Sequence, residues 1–250
     1  MRKNLLIILL TVLYGTSVAA AELHIAVAAN FSDSMRSIAG IFEKQTQHTL
    51  KISSGSSGKL YAQIKHGAPF DLFFAADSLR PELLEQERLA IAGSRFTYAI
   101  GQLILWSPQP DLVDPEGDVL RGDRFAHLAI ANPRLAPYGE AARAVLQHKG
   151  VWKEIGHRMV RGENIAQTFQ FVQSGNAELG FVALSQVGRS PERIHGSYWL
   201  IPSHLYPAIE QQAIIVHDSQ VAREFMTFVK SNEITSLIRS HGYLLVTGGL

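Results

Sequence analysis

The stretch Ile52-Ser53-Ser54-Gly55-Ser56-Ser57-Gly58-Lys59-Leu60 gathers four serines and two glycines between two apolar runs. A strand-like segment, Thr49 to Ile52, precedes it, and a helical pattern carrying Leu60, Tyr61 and Ile64 follows. The first N–H groups of a helix have no backbone partner, and the helix dipole places partial positive charge there. Glycine lets the backbone approach closely, so such a junction is suited to cradling an anion. The same composition also makes solvated linkers. Two hydrolytic readings fit less well. A Walker loop would need glycine where Ser53 stands and Ser or Thr where Leu60 stands. The nucleophile elbow Gly-x-Ser-x-Gly is one residue longer than Gly55-Ser56-Ser57-Gly58.

The elements that must position this loop alternate between strand and helix. Leu23 to Ala29 reads as a buried strand, and Met35, Ile38, Ala39 and Phe42 form one face of the helix that follows. Asn30 or Ser32 is placed to cap that helix, and Asn30 could instead face a ligand. Leu72 to Ala76 is a second apolar strand, with Asp77-Ser78 opening a helix over Pro81 to Gln86. In parallel sheets with crossover helices, ligands bind beyond the carboxyl ends of the strands. Asn30, the serine loop and Asp77 all fall there.

Phe96 to Ser107 is β-rich and longer than most single strands, so it can pass from one lobe to another. Gln109 to Asp123 reads as a surface excursion and His127 to Ala131 as a strand. The turn Asn132 to Gly139 then leads into a helix over Glu140 to His148. Val151 to Ile155 is expected as a short helix and Met159 to Gly162 as a strand. Asn164-Ile165 opens the helix Ala166 to Ser174, and Leu179 to Leu184 is another buried strand. Tyr198 to Pro202 and Gln211 to Val216 are β-rich, the latter a candidate return crossing. Helices over Val221 to Val229 and Ile234 to His241 close the chain at Gly242-Tyr243.

Length and composition suit one large domain or two lobes with a sizeable core. Arg2 and Lys3, the apolar run Leu5 to Leu13 and the small residues Val18 to Ala21 have the layout of a cleaved secretory signal, and the apolar run is too short to span a bilayer. Losing the signal leaves 21 basic against 22 acidic side chains, a net of about −1, which argues against a nucleic-acid partner. There is no cysteine, so neither disulfides nor a lipoprotein anchor are available, and a soluble periplasmic location fits. The ten histidines show no His-Glu-x-x-His spacing, which disfavours a metal site.

Taken together, Ala28-Ala29-Asn30-Phe31, the serine loop, Gly67-Ala68-Pro69 with Asp71-Leu72-Phe73, Ala76-Asp77 and Ala136-Pro137-Tyr138-Gly139 resemble the periplasmic molybdate-binding proteins of ABC transporters. Gly180-Phe181-Val182-Ala183 and Gly242-Tyr243 extend the similarity over essentially the whole mature chain. The resemblance implies an α/β, type II periplasmic-binding-protein fold: two lobes of mixed sheets flanked by helices, with the ligand cleft between them. The expected layout is a signal peptide over 1–21, a first lobe over 22–99, a second over 100–211, and a return to the first over 212–250.

It further implies that Asn30, Ser57, Tyr138 and Ile165 hold the ligand. Ser57 would give hydroxyl and N–H, and Tyr138 and Ile165 would give backbone N–H. Ala29 lacks a hydroxyl that some relatives have, and Ala183 stands where some have a ligand-contacting tyrosine. None of the four is Lys or Arg. About seven charge-assisted bonds of roughly 1.5–3 kcal/mol each would still exceed the roughly 8–12 kcal/mol of micromolar-to-nanomolar binding. The implied protein is a non-enzymatic monomer that takes molybdate or tungstate to a membrane permease without a cofactor. Sulfate or another tetrahedral oxyanion is an alternative ligand. A secreted hydrolase using Ser57 is an alternative of another class, disfavoured because no His–acid pair is placed near it by spacing.

Overall fold

The computed structural model describes residues 20–188 and 190–246. The expected signal, 1–21, lies outside these residues apart from Ala20 and Ala21. In chain order the strands are Glu22–Ala28 (β1), Thr49–Gly55 (β2), Leu72–Phe74 (β3), Phe96–Gly101 (β4), Leu103–Ser107 (β5), Leu128–Ala131 (β6), Met159–Gly162 (β7), Leu179–Ala183 (β8), Ser197–Leu200 (β9) and Ile209–Ile215 (β10). The helices are Ser32–Thr46 (α1), Ser57–Lys65 (α2), Leu79–Gln86 (α3), Pro137–His148 (α4), Ile165–Gln173 (α5), Leu184–Val187 (α6), Gln220–Val229 (α7) and Asn232–Ser240 (α8).

The strands form two five-stranded sheets, ordered β2-β1-β3-β10-β4 and β7-β6-β8-β5-β9. In the first, β1 runs parallel to β2 and β3, while β10 is antiparallel to β3 and β4. In the second, β6 is parallel to β7 and β8, and β5 is antiparallel to β8 and β9. Both sheets are therefore mixed. Central strands are covered on both faces, which is why β8 and Ile25 to Ala28 of β1 read as continuous apolar runs rather than alternating ones. Each sheet has a core on either face: Ile25, Val27, Phe74 and Phe225 on one side of the first sheet, Ala26, Phe73 and Leu60 on the other. The main core of the second sheet takes in Ala28, Ala29 and Ala76 from the strand ends of the first, so the two halves share apolar contact across the cleft.

The long run Phe96 to Ser107 divides at Gln102, with β4 in one sheet and β5 in the other. The return is made between β9 and β10, through residues 201–208. Strand β4 runs past 99 to Gly101, and β10 starts at Ile209, ahead of 212, so the strands extend beyond the expected switch positions. At Gly101 an added Cβ would collide with the Tyr138 phenol and lie 2.8 Å from the Gln211 amide nitrogen. The first crossing thus passes where only a glycine fits.

Helix α1 buries Met35, Ile38, Ala39 and Phe42, spaced one turn apart, and ends at Gln47 in the left-handed conformation (φ 62°). Two local readings change. The serine loop is shorter than its composition suggests, because Ser53, Ser54 and Gly55 complete β2 and α2 begins at Ser57. Val151 to Ile155 is a turn rather than a helix, with Ile155 N–H donating to Val151 C=O. The segment begins after a left-handed Gly150 (φ 77°) and runs straight into a 3-10 turn over Gly156–Arg158, so no second α-helical turn is built.

Candidate functional site

Ser56 caps α2 by position, with extended backbone (φ −71°, ψ 145°), yet its hydroxyl makes no capping bond and is buried without a partner. Ser57 is the first residue of the helix and 1% exposed. Its Oγ accepts the backbone N–H of Ala76 at 2.9 Å. That bond occupies a lone pair and leaves the hydroxyl proton free to be donated. This partner is a backbone amide, and among the described residues no histidine is hydrogen-bonded to the hydroxyl as an activating base would be.

Asn30 lies in a single 3-10 turn, Ala29–Phe31, between β1 and α1. It does not cap α1: the capping position is Phe31, with no side-chain bond, and Ser32 is already inside the helix. Instead Asn30 Nδ2 donates to Gln211 Oε1 at 2.8 Å and to the Tyr243 hydroxyl at 3.2 Å. Both side-chain N–H groups are thereby spent on the protein. Tyr243 in turn donates to the Asn30 carbonyl at 2.7 Å. A cap signal in the sequence is overridden here by partners far along the chain.

Tyr138 is the second residue of α4, whose first position is Pro137. Proline is tolerated there because that N–H would have no helical partner. The phenol is 1% exposed and meets Gln211 Nε2 at 3.5 Å, so the side chain belongs to the crossing region. Ile165 opens α5. The Asn164 side chain caps that helix by accepting from Ala166 and Gln167, both at 3.0 Å, and Ile165's own N–H is not among the amides it takes.

Gln211 joins these parts. It bonds Asn30 and Tyr138, and the Tyr98 hydroxyl donates toward its Oε1 at 3.1 Å. Tyr98, Tyr138 and Tyr243 sit in this buried network, and burial drives all three phenols upward, Tyr243 to about 12. Gln211 and Tyr98 carry no local sequence signal for this role, since the Gln211–Asn30 contact spans 181 positions. Charge near the serine turn is balanced: Arg80, beside Gly58, bonds Asp77 at 2.8 Å, both largely buried. A polar chamber of about 310 Å³ opens alongside, lined by Asn30, Ser32, Ser54, Ala166 and Ser185 among others. Among the described residues no group of three or more His, Cys, Asp or Glu could hold a metal ion.

The structure thus sets Asn30, Ser57, Tyr138 and Ile165 at four strand-to-helix junctions, each buried, two contributed from either sheet. Helix starts of this kind present partial positive charge and unspent N–H groups, which suits a small anion.

Comparison with known proteins gives the same architecture. The model of the bacterial extracellular solute-binding proteins matches residues 23–244. The molybdate-binding protein of Azotobacter vinelandii is 48% identical over 227 residues, covering 90% of each chain. That of Rhodobacter capsulatus is 42% identical over 230 residues, covering 90% of this chain and 89% of the other. The solved periplasmic molybdate-binding protein of Azotobacter vinelandii superposes with a TM-score of 0.87 at 43% identity, covering 90% of this chain and 100% of that one. A sulfate-binding protein of Mycobacterium tuberculosis shares the fold alone, at 13% identity and a TM-score of 0.68. The chain is a member of the bacterial extracellular solute-binding protein family, alongside the molybdate-binding proteins it is similar to.

Proposed function

We infer that the protein captures molybdate or tungstate as a tetrahedral oxyanion and delivers it to an ABC-transporter permease. The observation that carries this reading is the set of four buried helix-start junctions, whose nominated residues Asn30, Ser57, Tyr138 and Ile165 include no Lys or Arg, in a chain 48% identical to a molybdate-binding protein. The ligand is held by the Ser57 hydroxyl and N–H, by the N–H groups of Tyr138 and Ile165, and by Asn30. Asn30 acts through its backbone, because its side-chain amide is engaged with Gln211 and Tyr243. Each lobe is one sheet with its helices, and the cleft lies between them. No chemical step is asked of the site: the protein binds and releases, as a monomer, without cofactor or nucleic acid. The apolar N-terminal segment sends it to the periplasm and is cleaved there.

Selectivity tests the reading. Phosphate near neutral pH carries a proton that needs an acceptor in a dry cleft, whereas the nominated groups are donors with no carboxylate among them. The mismatch costs roughly 1–3 kcal/mol or more. Sulfate is fully ionised but smaller, and donors set for longer metal–oxygen bonds hold it with stretched contacts. Competitive calorimetric titration at fixed ionic strength should therefore give molybdate and tungstate similar affinities, sulfate a much weaker one and phosphate almost none. Sulfate binding as tightly as molybdate would move the assignment to a sulfate carrier.

A further inference from the structure

The first turn of α2 touches the second lobe at two places, and each lies beside a nominated donor. Gly58 N–H donates to Leu135 C=O at 2.9 Å, in the turn that enters α4 and Tyr138. Lys59 Nζ pairs with Glu163 Oε1 at 2.7 Å, in the turn that enters α5 and Ile165. The residue before both is Ser57. One helical turn is thereby bonded across the cleft to the turns that enter α4 and α5.

We propose that Gly58 and Lys59 form a clasp that holds the lobes shut over the bound oxyanion and sets its release rate without touching it. The proposal rests on the oxyanion-binding reading and names what governs the same site. Space singles out Gly58 as the main element. A Cβ there would lie 3.0 Å from Leu135 O and 3.1 Å from Leu135 Cα, which are backbone atoms, and 3.3 Å from Arg80 Nε. A methyl group there requires the Leu135 turn of the second lobe to give by a few tenths of an ångström, which stretches the Gly58–Leu135 bond. The Lys59–Glu163 pair is about half exposed at both ends. Solvent screens such pairs, so it contributes less and weakens with salt.

Gly58→Ala reads the clasp through release kinetics, which a change in helix stability alone would not move. Alanine favours the helix over glycine while the lost inter-lobe bond opposes it, so the ligand-free variant should melt close to the wild-type temperature. The clasp requires molybdate to dissociate roughly five- to twentyfold faster from it, the loss of about one hydrogen bond, with the association rate nearly unchanged. Lys59→Gln should speed release by less than about threefold, and only at low salt. Stopped-flow dissociation and thermal melts read both. An unchanged release rate in Gly58→Ala overturns the clasp.

A second measurement works even if molybdate is the wrong ligand. The chain has no cysteine, so spin labels can be placed at Lys44→Cys and Gln147→Cys, exposed positions on the two lobes. Gly58→Ala should shift the ligand-free inter-lobe distance distribution toward longer values. An identical distribution rejects the clasp, while failure of the wild type to bind molybdate rejects the ligand assignment alone.

Discussion

Ser57 does two jobs with one oxygen. Its lone pair takes the N–H of Ala76, a residue only 2% exposed, and its proton is the one proposed to reach the ligand. From sequence the hydroxyl looks free, and its loss would then affect binding alone. The Ala76 contact changes that expectation. Ser57→Ala leaves a buried amide without an acceptor, so the ligand-free protein should lose about 1–3 kcal/mol. Binding should weaken as well, roughly ten- to a hundredfold, for the loss of one charge-assisted hydrogen bond. Urea unfolding of the empty protein and calorimetric titration separate the two effects. A variant that loses stability but binds as before would make Ser57 a support of β3 and remove it from the site. Asn30 teaches the converse. A polar residue at a helix entrance predicts a cap, yet its amide is committed to Gln211 and Tyr243, and no local pattern encodes partners so distant in the chain.

At the level of elements, most of the donors proposed for the ligand are backbone amides at helix starts, which mutation of side chains ordinarily leaves alone. Helix α5 offers an exception. Ile165 is its first residue, a position where proline is tolerated, and Asn164 before it already has the extended conformation (φ −143°, ψ 176°) that a following proline demands. The Asn164 cap to Ala166 and Gln167 would survive. Ile165→Pro should therefore fold, with a far-ultraviolet spectrum like the wild type, and bind roughly ten- to a hundredfold more weakly for want of one N–H. Ile165→Val, which keeps the amide and nearly all the packing, should bind within about twofold. Equal binding by the two variants would strike Ile165 from the donor set. Elements were the most legible level of this chain. The turn-spaced Met35, Ile38, Ala39 and Phe42 announce α1, and the excess length of Phe96 to Ser107 announces a strand that changes sheets. Val151 to Ile155 reads as a helix and is a turn, because a helix of five apolar-flanked residues cannot be told from a tight turn by periodicity. The clasp at Gly58 was invisible, since glycine in a serine-rich loop signals flexibility and only the packed lobes show Leu135 against it.

For the whole molecule, the chain crosses between sheets twice, and the buried network around Gln211 ties the crossings to the site. Tyr98 comes from β4, Gln211 from β10, Tyr138 from α4, and Tyr243 from the segment after α8. Such a network is stable only while its phenols stay neutral, because an ionised oxygen there would lie in a desolvated site. Burial raises Tyr243 from 10.0 to about 12, and raises Tyr98 and Tyr138 in the same sense. Below pH 10 both folded and unfolded chains keep the proton, and the full stability is present. Above it the unfolded chain releases protons that the folded one must retain, so stability falls as pH rises toward 12. Tyr243 alone accounts for roughly 2–3 kcal/mol of that loss. Urea unfolding at intervals from pH 8 to pH 12 should show the decline beginning near 10. Tyr243→Phe should start less stable at pH 8, having lost the bond to the Asn30 carbonyl, and then decline more shallowly. If wild type and Tyr243→Phe fall in parallel from pH 10 upward, Tyr243 does not keep its proton in the folded state and the buried network is wetter than its geometry indicates.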